Sequence, residues 1–128
     1  MMFSCKINQK INTLKQGIWL ENIVIDSIVY KSKGRFLNSN EIGKWKYYEN
    51  GKRTKKEIFK KYYTIKTFYH HNGKVSSTGR TKTNDTGKML HWFYDGIWKF
   101  YNDKGQLIRI RIYENSNLIS DKEIPMKQ

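Results

Sequence analysis

The sequence predicts a mainly β protein, an antiparallel meander of hairpins built on short repeats. Three observations carry that expectation. The 128 residues include no alanine and lean on Ile, Tyr and Thr, a bias away from helices and towards strands. A Gly-x-Trp unit recurs at Gly17-Ile18-Trp19, Gly43-Lys44-Trp45 and Gly96-Ile97-Trp98; the tryptophans are 26 and then 53 residues apart, which is a repeat-like period. Finally, Ile108-Arg109-Ile110-Arg111-Ile112 alternates strictly, as a half-buried antiparallel strand does, with three Ile on one face and two Arg on the other. The aromatic content, 15% of the chain, is enough to build a core rather than a disordered coil.

The elements follow in order. At the N-terminus, Ile7, Ile11, Leu14 and Ile18 are helically spaced with Gly17 as a stop, favouring a short helix over 6–15, while Phe3, Cys5 and Ile7 alternate as a strand would. Residues 18–30 are apolar on both parities, which suits a buried pair of strands turning at Glu21-Asn22. Gly43 to Tyr48 reads as a strand, and Glu49-Asn50-Gly51-Lys52 as a two-residue hairpin, because Asn and Gly tolerate positive φ. A degenerate copy is expected midway, at Thr64-Ile65-Lys66-Thr67-Phe68-Tyr69 ahead of His70-His71-Asn72-Gly73, with Lys66 in the tryptophan position. Residues 76–88 are polar and Gly-containing and read as a long loop or an exposed hairpin tip. After the Trp98 strand, Asn102-Asp103-Lys104-Gly105 suits a type I turn with Gly105 left-handed in a bulge. The same slot recurs at Tyr113-Glu114-Asn115-Ser116-Asn117 with Asn for Gly. The expected organisation is a single domain, 1–128. It comprises an N-terminal segment with a degenerate first repeat (1–40), β repeats (41–120) and a fraying tail (121–128).

The two best copies are Asp95-Gly96-Ile97-Trp98-Lys99-Phe100-Tyr101 through Gly105-Gln106-Leu107, and Gly43-Lys44-Trp45-Lys46-Tyr47-Tyr48 through Gly51-Lys52. They resemble the MORN repeat, particularly the variant found in tandem in bacterial proteins described as antitoxin components. The resemblance implies consecutive hairpins in an elongated antiparallel sheet and a scaffold or binding role without catalysis. Eukaryotic proteins of this kind are linked to membranes and complexes.

Charge gives the sign of a partner. Lys and Arg number 25 against 11 acids, a formal net charge of +14, and the excess is greatest over residues 41–70. Such a surface attracts polyanions. The expected partner is therefore an acidic protein or a nucleic acid, with anionic lipid a weaker third. Lys6, Lys10 and Lys15 interrupt any secretory apolar region, no aliphatic run could span a bilayer, and the lone Cys5 precludes an intrachain disulfide framework; the expectation is cytoplasmic.

Searches for chemistry return structural explanations. His70, His71 and His91 have no zinc-ligand spacing, and Cys5 has no local activator. Gly79 to Gly87-Lys88-Met89 fails the phosphate-loop spacing. Asp95 and Asp103 read as turn residues, and Glu57 as half of a surface ion pair within Lys55-Lys56-Glu57. No catalysis, cofactor, metal or small-molecule substrate is expected. What remains is a sheet whose Trp and Ile pack one face and whose Lys, Arg and Tyr line the other. The expected partner-binding residues are Lys46, Tyr48, Arg53, Lys55, Lys56, Arg80, Lys82, Lys88, Lys99, Tyr101, Arg109, Arg111 and Tyr113.

Overall fold

A computed structural model describes residues 7–85 and 90–125, with the side chains of 84, 85, 90 and 91 excepted. Among the described residues there are strands and turns and no helix. The chain divides into two compact units, Met1–Phe59 and Lys60–Gln128. In each, neighbouring strands are antiparallel and their spatial order follows chain order, the meander expected from the sequence.

The first unit holds β1 (Gln9–Ile11), β2 (Leu14–Ile25), β3 (Ile28–Leu37), β4 (Asn40–Glu49) and β5 (Lys52–Phe59). Its hairpins turn at Asn12-Thr13, Asp26-Ser27, Asn38-Ser39 and Asn50-Gly51, with positive φ at both central residues each time. That is the type I′ geometry whose twist matches paired strands. The Asn50-Gly51 turn (φ 47° and 80°) is the expected one. The turns at Asn12-Thr13 and Asp26-Ser27 correct the sequence reading. Over residues 7–15 the chain forms β1, a turn and the start of β2 rather than a helix: Asn12 and Thr13 take positive φ (51° and 65°) and close a hairpin that pairs Ile11 with Leu14. Strand β2 runs straight through Glu21-Asn22 and turns at Asp26-Ser27. Nor are its strands a buried pair: Ile23, Val24 and Ile25 are 53%, 68% and 55% exposed.

The second unit holds β6 (Tyr63–Tyr69), β7 (Val75–Asp85), β8 (Leu90–Tyr101), β9 (Leu107–Glu114) and β10 (Asn117–Glu123). The expected Gly105 turn is present: the Gly105 amide donates to the Asn102 carbonyl at 3.0 Å, the Asn102 amide to the Gln106 carbonyl at 2.9 Å, and Gly105 has φ 86°. His70 to Lys74 repeats it around Gly73. Residues 76–85, expected as a loop, are strand β7. Their Ser and Thr content misled, but Thr78, Thr81 and Thr83 are good strand formers once a neighbour supplies the pairing. Gly87 and Lys88 lie outside the described residues, as do Cys5 and Met126–Gln128. Strand β10 and an amide of Ile124 donating to the Ile108 carbonyl at 2.9 Å hold the chain past the start of the expected tail.

Each unit is one layer of sheet, and its core is built around a single tryptophan. Trp45 and Trp98, 3% and 4% exposed, are the buried apolar side chains among the described residues. The recurrent Gly-x-Trp is a bulge. Lys33 pairs Lys46 and Arg35 pairs Ile42, so two residues of β3 span four of β4; Thr78–Lys99 and Arg80–Asp95 repeat this between β7 and β8. The bulge takes its kink at Gly43 (φ 65°) and Gly96 (φ 71°), a left-handed conformation costly for other residues. Opposite it, the indole lies flat on a second glycine. A Cβ on Gly34 would meet Trp45 Cδ2 at 2.0 Å, and one on Gly79 would meet Trp98 Cδ2 at 1.9 Å. Each indole N–H donates to the carbonyl of the next residue, Arg35 or Arg80, both at 3.1 Å.

The repeats diverge by exchanging parts across a rung. Phe36 packs edge-on to Trp45 at 4.9 Å, with Glu41 as its cross-strand partner. At the equivalent rung the second unit has buried Thr81 paired with Tyr94, and Tyr94 supplies the edge contact to Trp98 at 5.2 Å. Likewise Trp19 is registered against Gly34, and Lys66 against Gly79. Lys66 thus occupies the position where the sequence expects a lost tryptophan.

Candidate functional site

Alternation and register sort the first unit's charges onto different faces. The tryptophan face carries Trp19, Phe36, Trp45 and Tyr47, and with them every strand carboxylate: Glu21, Glu41, Glu49 and Glu57. Glu57 lies opposite Trp45 and is 6% exposed. Its ion pair with Lys55 (3.4 Å) is therefore half-buried, not the surface pair expected. Lys55 also sits over the Tyr47 ring at 4.3 Å. Burial, the hydrogen bond its hydroxyl donates to Glu57, and the surrounding carboxylates together hold the Tyr47 phenol well above its ordinary range. Desolvation by its neighbours, then the charge of Glu57, raises the Glu41 pKa. A shallow groove of about 290 Å³ crosses this face beside Glu21, Tyr30, Tyr47 and Lys55.

The opposite face is cationic. One cross-strand row reads Leu20, Lys33, Lys46, Lys56; the next reads Asn22, Lys31, Tyr48, Arg53; a third brings Arg35 beside Ile18 and Ile42, with Lys44 next to it on β4. Seven cations and no strand carboxylate face this side. All are exposed except Lys56, which is half-buried. Among the described residues no ion pair joins Lys31, Lys33, Arg35, Lys44, Lys46 or Lys56 to an acid.

Of the residues expected from sequence, four share this surface: Lys46, Tyr48, Arg53 and Lys56. Lys55 does not, because a bulge at Thr54 flips the β5 alternation and sends it to the tryptophan face. The remainder belong to the second unit, and Lys88 lies outside the described residues. Arg80, Lys82, Lys99 and Tyr101 do lie opposite Trp98. Arg80, however, is neutralised by Asp95 at 2.9 Å, so Asp95 is an ion-pair partner inside β8 rather than a turn residue. His70 Nε2 lies 2.8 Å from the Tyr101 carbonyl.

Arg109, Arg111 and Tyr113 were expected on the open face and lie on the tryptophan face. Arg111 is registered against Trp98, Arg109 against Phe100 and Tyr113 against Gly96. Both arginines are tied to β10: Arg109 to Asp121 (3.3 Å) and Glu123 (2.6 Å), Arg111 to Asp121 (3.4 Å). The three Ile of β9 therefore face away from the tryptophan. In a single layer no second sheet demands that all apolar residues share one side, which is the assumption that failed. Phe100, Arg109, Arg111 and Glu123 also border an open groove of about 460 Å³.

Sequence reasoning passed over Lys31, Lys33 and Arg35 as site residues. Their signal was present, since Lys31-Ser32-Lys33-Gly34-Arg35 alternates cation with small residue, a period-two pattern that puts all three cations on one face. Among the described residues no group of three His, Cys, Asp or Glu could hold a metal ion, and no helix is long and apolar enough to cross a membrane. No protein-family model, curated protein or solved structure matches the chain.

Proposed function

We propose that this protein is a non-catalytic binding module that docks the cationic face of β2–β5 on an acidic macromolecular surface, masking or bridging it as an antitoxin, inhibitor or accessory subunit does. The segregation of charge carries this reading. Carboxylates available to neutralise the lysines are instead placed behind the sheet, so the face keeps its full field for a partner. The resemblance of the hairpins to MORN repeats supports it through the scaffold role that such repeats imply. Exposed, evenly spaced side chains on regular strands also give a flat and pre-organised surface.

The test compares two triple reversals with equal charge change. Lys33→Glu, Lys46→Glu and Lys56→Glu together alter the face; Lys61→Glu, Lys104→Glu and Lys122→Glu alter charge elsewhere. Retention on immobilised polyglutamate and on immobilised RNA is measured at about 50 mM salt. The reading expects the first variant to lose retention on at least one support while the second keeps it. Equal losses in both variants would show that net charge, not this face, does the binding.

A further inference from the structure

Of the acidic surfaces that such a face could meet, we infer that it takes the sugar–phosphate backbone of a nucleic acid, held through phosphates without reading bases. This rests on the docking role proposed above and names the partner.

Three observations favour phosphate over an acidic protein. The first is composition. Protein interfaces are depleted in Lys and anchored by Trp, Tyr and Arg in desolvated pockets. This face carries five Lys, two Arg and one aromatic residue, the half-buried Tyr48, and the two grooves lie on the tryptophan faces. The second is spacing. Lys33, Lys46 and Lys56 follow one another across adjacent strands, about 4.8 Å apart, and Lys31, Lys33 and Arg35 follow along one strand at about 6.7 Å. The five lysines form a two-dimensional array of point charges that can neutralise several phosphates of one strand at once, and a lysine ammonium carries no fixed donor fork.

The third observation is that the scaffold does not require these lysines. At the positions equivalent to Lys33, Lys44 and Lys56 the second unit has Thr78, Ile97 and Ile110 on the same bulged framework, and a lysine, Lys99, at that of Lys46, so the unit folds without the lysine row. Directly opposed like charges destabilise a sheet, so the lysine row opposes folding and is explained by a ligand that neutralises it.

The experiment is a salt titration of binding to fluorescent oligonucleotides of two unrelated sequences, single- and double-stranded, with polyglutamate as a competitor matched in charge concentration. The expected result is affinity indifferent to sequence. It falls linearly on a log–log plot against salt, with a slope no steeper than about −5 for single strands or −6 for duplex if all seven cations engage. Each Lys→Gln substitution at 33, 46 or 56 is expected to flatten that slope by about 0.7 to 0.9. Polyglutamate that displaces the oligonucleotide at equal charge, or binds alone as tightly, overturns the inference while leaving docking on acidic protein intact. Failure of both ligands to bind at low salt overturns both. Oligonucleotide affinity and slope unchanged in the 33/46/56 glutamate variant would place the site elsewhere and also sink the inference.

Discussion

Replacing Gly34 by alanine is the sharpest probe of the fold, because Gly34 is needed for space rather than for an unusual φ. The new Cβ would stand 2.0 Å from Trp45 Cδ2 and 2.1 Å from Cε2, whereas carbon atoms settle at about 3.5–4.0 Å. The indole must retreat by about 1.5 Å, and everything it touches resists. Its N–H bond to the Arg35 carbonyl is 3.1 Å long and contributes about 1 kcal/mol. The edge contact with Phe36 at 4.9 Å adds about 0.5–1.5 kcal/mol. Against this, alanine gains about 0.5–1 kcal/mol over glycine in a strand. With the strain of an overfilled site, the expected net loss is about 2–3 kcal/mol. Urea unfolding followed by far-ultraviolet circular dichroism would measure it. A double-mutant cycle isolates the cause: in a Trp45→Ala background the same Gly34→Ala change should cost nothing or stabilise slightly, a coupling of about 2–3 kcal/mol. A loss below about 0.5 kcal/mol, or the same loss in both backgrounds, would refute the glycine seat.

Two further outcomes are expected. Lys46→Glu replaces two like-charged cross-strand neighbours, Lys33 and Lys56, by two opposite-charged ones. It should stabilise the fold by about 0.5–1.5 kcal/mol at low salt, fading as salt screens the pairs, while weakening oligonucleotide binding; destabilisation at low salt would count against the lysine row as a source of strain. Glu41 keeps its proton to a higher pH in the fold than when unfolded, through desolvation and the charge of Glu57. Its stabilising contribution is therefore complete below the ordinary carboxylate range and lost as pH rises through the raised value. Glu41→Gln should raise the melting temperature at neutral pH and leave it unchanged in acid. Because the residue is exposed overall, the gain is small, and an equal gain at both pH values would contradict the assignment.

The meander class and some of its strands and turns were legible because their rules are local. Asn50-Gly51 and Asn102 to Gly105 announce positive φ, and β9 announces its alternation. The Asp26-Ser27, Asn38-Ser39 and Asn12-Thr13 turns are weaker signals, since Ser and Thr adopt positive φ only when the hairpin enforces it. The Gly-x-Trp recurrence was visible, but its complement was not. The seats Gly34-Arg35 and Gly79-Arg80 lie 11 and 19 residues before their tryptophans, so no fixed spacing links the two halves. Faces were the least legible. One bulge at Thr54 moved Lys55 across the sheet, and the register of β8 with β9 put Arg109 and Arg111 beside the aromatics. A period-two argument holds only as far as the nearest bulge.

The two units together separate what the scaffold demands from what it permits. Both keep the bulge glycine, the seat glycine, the indole and its hydrogen bond to an arginine carbonyl. On that face even the charge across from the tryptophan is exchangeable, Glu57 in one unit and Arg111 in the other, so long as a partner is at hand in Lys55 or Asp121. The opposite face has no such constraint. In the second unit it carries Ile97, Ile108, Ile110 and Ile112, Lys82 and Lys99, and the self-neutralised Arg80–Asp95 pair; in the first it carries seven cations and no strand carboxylate. A framework that folds with either population does not select lysine for stability, and the repulsion along Lys33, Lys46 and Lys56 selects against it. The cationic face is thus where the sequence departs from what folding alone would choose, a departure of the kind that the proposed docking role accounts for.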